Sequence, residues 1–197
     1  FMITAVTSFG QANWYVSSSG SDGSGDGSLG NPWATIQFAI NNASVVNGDT
    51  LNVANGNYSI TSTITINKSL FVRGESEAST IINANANGSS YGIRISTSNV
   101  TLTQFTINPP LGPGTLGTGS GGAYCIHVSN TPSILSNVNI SHVTIQNGNR
   151  TGIDINGVDN VNISYVTSQN AAYGNGISLS GVHNANVSNI TTGNNAW

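Results

Sequence analysis

Three side chains suited to handling an acidic substrate recur at one place in a repeated motif. Arg94, His127 and Asp154 each stand between two apolar residues, in Gly92-Ile-Arg-Ile95, Cys125-Ile-His-Val128 and Gly152-Ile-Asp-Ile155, and Ser178 holds the same place in Gly176-Ile-Ser-Leu179. A guanidinium matches a carboxylate through its planar fork of donors, an imidazole takes and gives a proton near neutral pH, and a carboxylate fixes the orientation of the imidazole. If these segments stack as strands, neighbours in the column lie about 4.8 Å apart. That is close enough for them to act on one sugar ring. The competing reading is plain, because strand positions facing water are polar in any case.

Each segment is followed by a turn and a second motif: Val100 to Ile107, Val138 to Ile145, Val161 to Thr167 and Ala185 to Thr191. Within these, Gln104, His142 and Tyr165 align with Asn189 and form a candidate substrate-binding column, an aromatic platform with hydrogen-bonding neighbours, or else ordinary surface. His183 aligns with Asp159, and both read as turn residues. In the Gly/Ser loop from Ser18 to Gly30, Asp22 and Asp26 are the candidate metal ligands, for calcium. They lack the ligand spacing and closing Glu of an EF-hand loop, and Asp in such loops also makes turn hydrogen bonds. Cys125 is the single cysteine; with no partner for a disulfide it reads as a small buried residue.

The elements that must position these groups are strands. Charged residues make up 6% of the 197, with a formal net charge of -3, so the basic footprint of a nucleic-acid binder is absent. Ile, Val and Thr recur too often for a disordered chain. From Asp49 onward apolar residues alternate, and from Tyr91 the motifs repeat with a period of about 24 residues and no helical pattern between them. Such a period describes coils of a solenoid. Ile93, Ile126, Ile153 and Ile177 should form one inward column, and Val100, Val138, Val161 and Ala185 another. Thr101, Asn139, Asn162 and Asn186 should form an outward ladder, as should Thr106, Thr144, Thr167 and Thr191.

Three regions follow. Residues 1–12, apolar and then small at Gly10 and Ala12, read as the remnant of a signal peptide, so that the mature chain begins at Asn13. Residues 13–48 hold a first strand at Trp14, the loop, and a capping helix with Asn31 as its cap, Pro32 in its first turn and Trp33, Ile36, Ala39 and Ile40 on its apolar stripe through Asn42. Residues 49–197 are the coils, interrupted by a long loop at 108–122. The chain stops at Trp197 without a capping pattern, and further coils are expected beyond it. No run is long enough for a transmembrane helix.

Trp14-Tyr-Val-Ser-Ser-Ser-Gly-Ser-Asp22, Gly27-Ser-Leu-Gly-Asn-Pro-Trp-Ala-Thr-Ile-Gln-Phe-Ala-Ile40, Gly48-Asp-Thr-Leu-Asn-Val53 and Ile64-Thr-Ile-Asn-Lys-Ser-Leu70 together resemble the start of secreted right-handed parallel β-helix proteins of the pectate-lyase-like superfamily. The resemblance implies an all-β solenoid, a secreted or cell-surface location and a polysaccharide partner. In lyases of that superfamily a basic residue removes the proton beside a uronate carboxylate while calcium or Arg neutralises that carboxylate. Carried onto this chain, Arg94 is the clamp, His127 the base and Asp154 its orienting partner. The chain departs from that pattern in having no acidic cluster in these coils for the usual calcium site, and Lys68 lies in an early coil. The expectation is an extracellular β-helix that binds an acidic polysaccharide, with cleavage by β-elimination as the catalytic extension of that reading; the alternative is a non-catalytic adhesin or structural surface protein.

Overall fold

A computed structural model describes residues 11–85, 87, 90–110, 123–146, 150–170 and 174–195. The segment 1–10 and most of the expected loop at 108–122 lie outside the described residues. Every strand pairing is parallel, so the chain is a parallel β-helix whose coils have three faces. The first face stacks β4 (Ile64–Ile66), β7 (Tyr91–Ile95), β9 (Tyr124–Val128) and the leading parts of β11 (Ile153–Gln169) and β12 (Ile177–Gly193). The second stacks β1 (Asn13–Val16), β2 (Thr50–Val53), β5 (Phe71–Gly74), the first parts of β8 (Val100–Asn108) and β10 (Leu135–Gln146), and the middles of β11 and β12. The third begins with β3 (Gly56–Ser59) and β6 (Thr80–Asn83) and continues in the trailing parts of the long strands.

Alternation explains the packing. Ile64, Ile93, Ile126, Ile153 and Ile177 are in register, and all but Ile177 are buried; Val100, Val138, Val161 and Ala185 form the second column. Each fully buried Ile or Val contributes roughly 1.5–3 kcal/mol. Outward positions bond along the axis instead. Asn162 donates to Asn139 at 2.8 Å and Asn186 to Asn162 at 2.9 Å. Cys125 is completely buried, and burial pushes its thiol pKa up, which removes it as a nucleophile.

The capping helix is shorter than its periodicity predicts. It spans α1 (Ile36–Asn41), capped by the Thr35 hydroxyl rather than by Asn31. Trp33 is held extended, because its N–H donates to the Tyr15 carbonyl and its own carbonyl accepts from Ser17, a bridge that takes the segment out of the helix. Gln37 on α1 meets the backbone of the edge strand β4, donating to the Thr65 carbonyl and accepting from the Thr65 N–H, so the strand end is not left open for another chain. Lys68 donates to the carbonyls of Asn42 and Val45 just past the helix. No helix among the described residues is long and apolar enough to cross a membrane.

Asp49, 2% exposed, fastens the N-terminal strand. It accepts from the Ala12 N–H, the Trp14 indole and the Val46 N–H at 2.8–2.9 Å. Burial alone would raise its pKa, but these donors and the charge of Lys68 outweigh it and hold the carboxyl below its ordinary value. A lowered folded-state pKa contributes stability that is complete above the unfolded value of about 3.9 and is lost as pH falls through the folded one. Asp49→Ala should therefore cost about 3 kcal/mol at pH 7, and thermal scans should show the gap to the parent chain narrowing in strong acid.

The register makes a second prediction. Ile153→Asp puts an unpaired charge between stacked Ile side chains and should cost more than about 3 kcal/mol. Asn162→Asp removes one donor from the amide ladder and should cost about 1 kcal/mol. Equal losses in denaturant titration would contradict the inward and outward assignment.

Candidate functional site

The first face brings Arg94, His127, Asp154 and Ser178 into one register column, as the repeat predicts. The column is closed further by hydrogen bonding. His127 Nδ1 and Asp154 Oδ2 are 2.8 Å apart, and their side chains are only 13% and 11% exposed. Asn156 donates to the same carboxylate oxygen at 2.7 Å. With Asp154 as acceptor the proton of a neutral imidazole sits on Nδ1, leaving the Nε2 lone pair as the reactive site. Arg94, one coil away, is exposed.

Four residues of this site do not follow from the column alone. Tyr91 stacks on the His127 ring with centroids 4.5 Å apart, and Tyr124 lies 5.7 Å from His127 and 5.9 Å from Tyr91. The Arg150 guanidinium sits 4.9 Å from the Tyr124 ring centroid, within cation–π range. Asn156 completes the set. The signal for the tyrosines was present: Tyr91 and Tyr124 both stand three residues before the outward residue of their strands, in register. Arg150 precedes its strand in a connection that belongs to no repeat. Burial, against the opposing charge of Arg150, raises the Tyr124 pKa and keeps its phenol protonated at neutral pH.

The other expected residues go elsewhere. Gln104, His142 and Tyr165 share a corner of the coil after the second face, on the far side of the Gly157 and Asn160 turn from Asp154. His142 and Tyr165 stack there with centroids 4.7 Å apart. Asp159 and His183 sit where turns were expected, between the left-handed Gly157 and Asn160 in one coil and Gly181 and Asn184 in the next, and they make an exposed 2.7 Å pair from coil to coil. Asp22 accepts from the N–H groups of Ala34 and Thr35 and from the Thr35 hydroxyl. Asp26 accepts from the Ser28 N–H, and hydrogen bonding to Ser28 lowers its pKa. Among the described residues no three carboxylate, imidazole or thiol groups converge on a point. Asp22 places both its oxygens on protein donors and Asp26 one, so their first role here is to hold the loop.

By sequence, no protein-family profile and no curated protein matches the chain. Solved structures do. A rhamnogalacturonan lyase aligns at 13% identity with a TM-score of 0.53, over 88% of this chain and 62% of its own. The GH136 lacto-N-biosidase from Eubacterium ramulus aligns at 14% identity with a TM-score of 0.65, over 91% of this chain and 41% of its own. At these identities the likeness establishes the architecture, a parallel β-helix. The chain spans less than two thirds of each of these proteins, 62% of the first and 41% of the second.

The Asp154 bond fixes a tautomer that can be observed. Nitrogen NMR of the neutral imidazole should show the Nδ1–H form for His127, and Asp154→Ala should return it to the Nε2–H form that free imidazole side chains favour. An unchanged tautomer in the variant would mean that Asp154 does not orient the ring.

Proposed function

We propose that this solenoid is an extracellular protein that binds an acidic polysaccharide on its first face and cleaves it by β-elimination. The observation that carries the reading is the His127–Asp154 pair, held under Tyr91 and one coil from Arg94. Arg94 offers a bidentate fork to a uronate carboxylate. With that charge neutralised, His127 Nε2 takes the proton on the carbon beside the carboxylate, and its electron pair forms the new double bond as the glycosidic oxygen departs. Tyr124, protonated and 5.7 Å from His127 between ring centroids, supplies the proton to that oxygen. The polysaccharide-acting neighbours and the apolar opening segment support the setting.

The test uses polygalacturonate and its ultraviolet-absorbing unsaturated product. Arg94→Ala should weaken binding about tenfold, near 1.4 kcal/mol. His127→Ala should lower turnover by a factor of about 100 or more with little change in affinity, since a general base acts in the transition state. Binding that depends on Arg94 without any product would establish the adhesin reading instead. Binding indifferent to Arg94 would reduce the column to solvated surface.

A further inference from the structure

The described residues include ten non-glycine positions with φ between +50° and +65°, and seven of them are Asn. Asn tolerates the left-handed region because its short amide can bond locally, whereas longer and bulkier side chains enter it at a cost. One corner obeys this in four successive coils, as Asn99, Asn137, Asn160 and Asn184. The next corner does not: its residues are Gln104, His142 and Tyr165, with φ of 65°, 50° and 53°, and only the following coil returns to Asn189, also at 53°. All three exceptions therefore fall in one column. Strain retained where a relaxed residue is available points to a use for the side chains.

The surroundings say what that use is. Gln104 lines a groove of about 640 Å³ with Tyr15, Asn52, Arg73 and Glu75, at the N-terminal end of the second face. Asn52 accepts from Arg73 Nε at 2.7 Å, and the Asn55 N–H donates to Glu75. From there the face runs on through Thr103, Ser141 and Ser164, which share a register column, and along the Asn139, Asn162 and Asn186 amide ladder. From coil to coil past Arg73 and Glu75 these columns carry amides, hydroxyls and aromatic rings, and no acid, Lys or Arg. The first face, with Arg94, Arg150 and Asp154, is its opposite in charge character.

We infer that the corner column Gln104–His142–Tyr165 and the groove leading into it form a second binding site, for a neutral glycan lying along the solenoid axis. The stacked His142 and Tyr165 rings cover each other's faces along the axis, so they offer an axial glycan a line of ring edges with the phenol hydroxyl and imidazole nitrogens as hydrogen-bonding groups. Along the axis Asn162 uses one donor and one acceptor, Asn139 one acceptor and Asn186 one donor, and each amide has further hydrogen-bonding capacity for hydroxyls. Coils repeat about every 4.8 Å, close to the advance per residue of an extended glycan. The site uses neither His127 nor Asp154.

Calorimetric titration of the whole chain with linear glucan, xylan, mannan and galactan oligosaccharides tests the inference, with oligogalacturonate run in parallel. At least one neutral oligosaccharide should bind. Tyr165→Asn should weaken that binding about tenfold or more, while raising Tm by about 2 °C as the left-handed strain is relieved. Arg94→Ala should leave it unchanged, so that this site and the acidic-glycan face succeed or fail separately. Absence of binding to every neutral probe would overturn the inference. So would affinity untouched by both Tyr165→Asn and His142→Asn, or a Tm lowered by Tyr165→Asn, which would assign the ring to packing.

Discussion

The axial register between successive coils is the constraint on which everything else rests. A single coil cannot bury its Ile and Val side chains, and each layer is stable only because the layers above and below present the same residues at the same height. Ile153 lies on Ile126 and under Ile177, and a slip of one residue would turn that whole column to water. The polar exterior is equally bound by the register. Asn137 reaches Asn99 at 2.8 Å, Asn160 reaches Asn137 at 3.3 Å, and Asn184 reaches Asn160 at 3.3 Å, so the corner that turns the chain also ties coil to coil. With so few charges, this is a structure held by burial and neutral hydrogen bonds, and salt should disturb it little.

The same register makes chemistry from unlike residues. Arg94, His127 and Asp154 are separated by 33 and 27 residues in sequence, yet neighbouring coils set them side by side. The short parallel strands fix their backbones, and Tyr91 and Asn156 then fix the two side chains that must meet. A loop-built site would need other elements to hold it still. Here the rigid scaffold is also the site, which favours geometric definition over movement.

Much of this was legible because alternation and repetition are direct images of the fold. The four aligned motifs yielded the inward columns, the outward ladders and the Arg94, His127, Asp154 succession. What the sequence hid came from irregular parts. Trp33 and Ile36 share a helical spacing, but β1 claims Trp33 as an extended partner, an effect of tertiary pairing that no local pattern records. Asp22 looked like a metal ligand because carboxylates in Gly-rich loops have few visible partners; its partners, Ala34 and Thr35, are twelve and thirteen residues on. Arg73 carries no repeat signal because its coil precedes the explicit repeat. The left-handed corner did leave a trace. In Val100-Thr-Leu-Thr-Gln-Phe-Thr-Ile107 the inward residues step by two, then three, then two, and the extra residue is Gln104, as the skipped partner in the register confirms.

That extra residue has a bearing on how such a surface can change over generations. Gln104, His142, Tyr165 and Asn189 stand outside the ladder of paired residues, since the strand partners on either side match without them. Their identities are thus uncoupled from the backbone pairing and the buried columns that hold the coils together, and four different side chains already occupy the place with almost the same backbone angle. A lineage could rewrite this line of residues one coil at a time, exchanging one recognised ligand for another, without renegotiating the interior. The corner is a site of evolutionary freedom set into an otherwise repetitive and unforgiving frame.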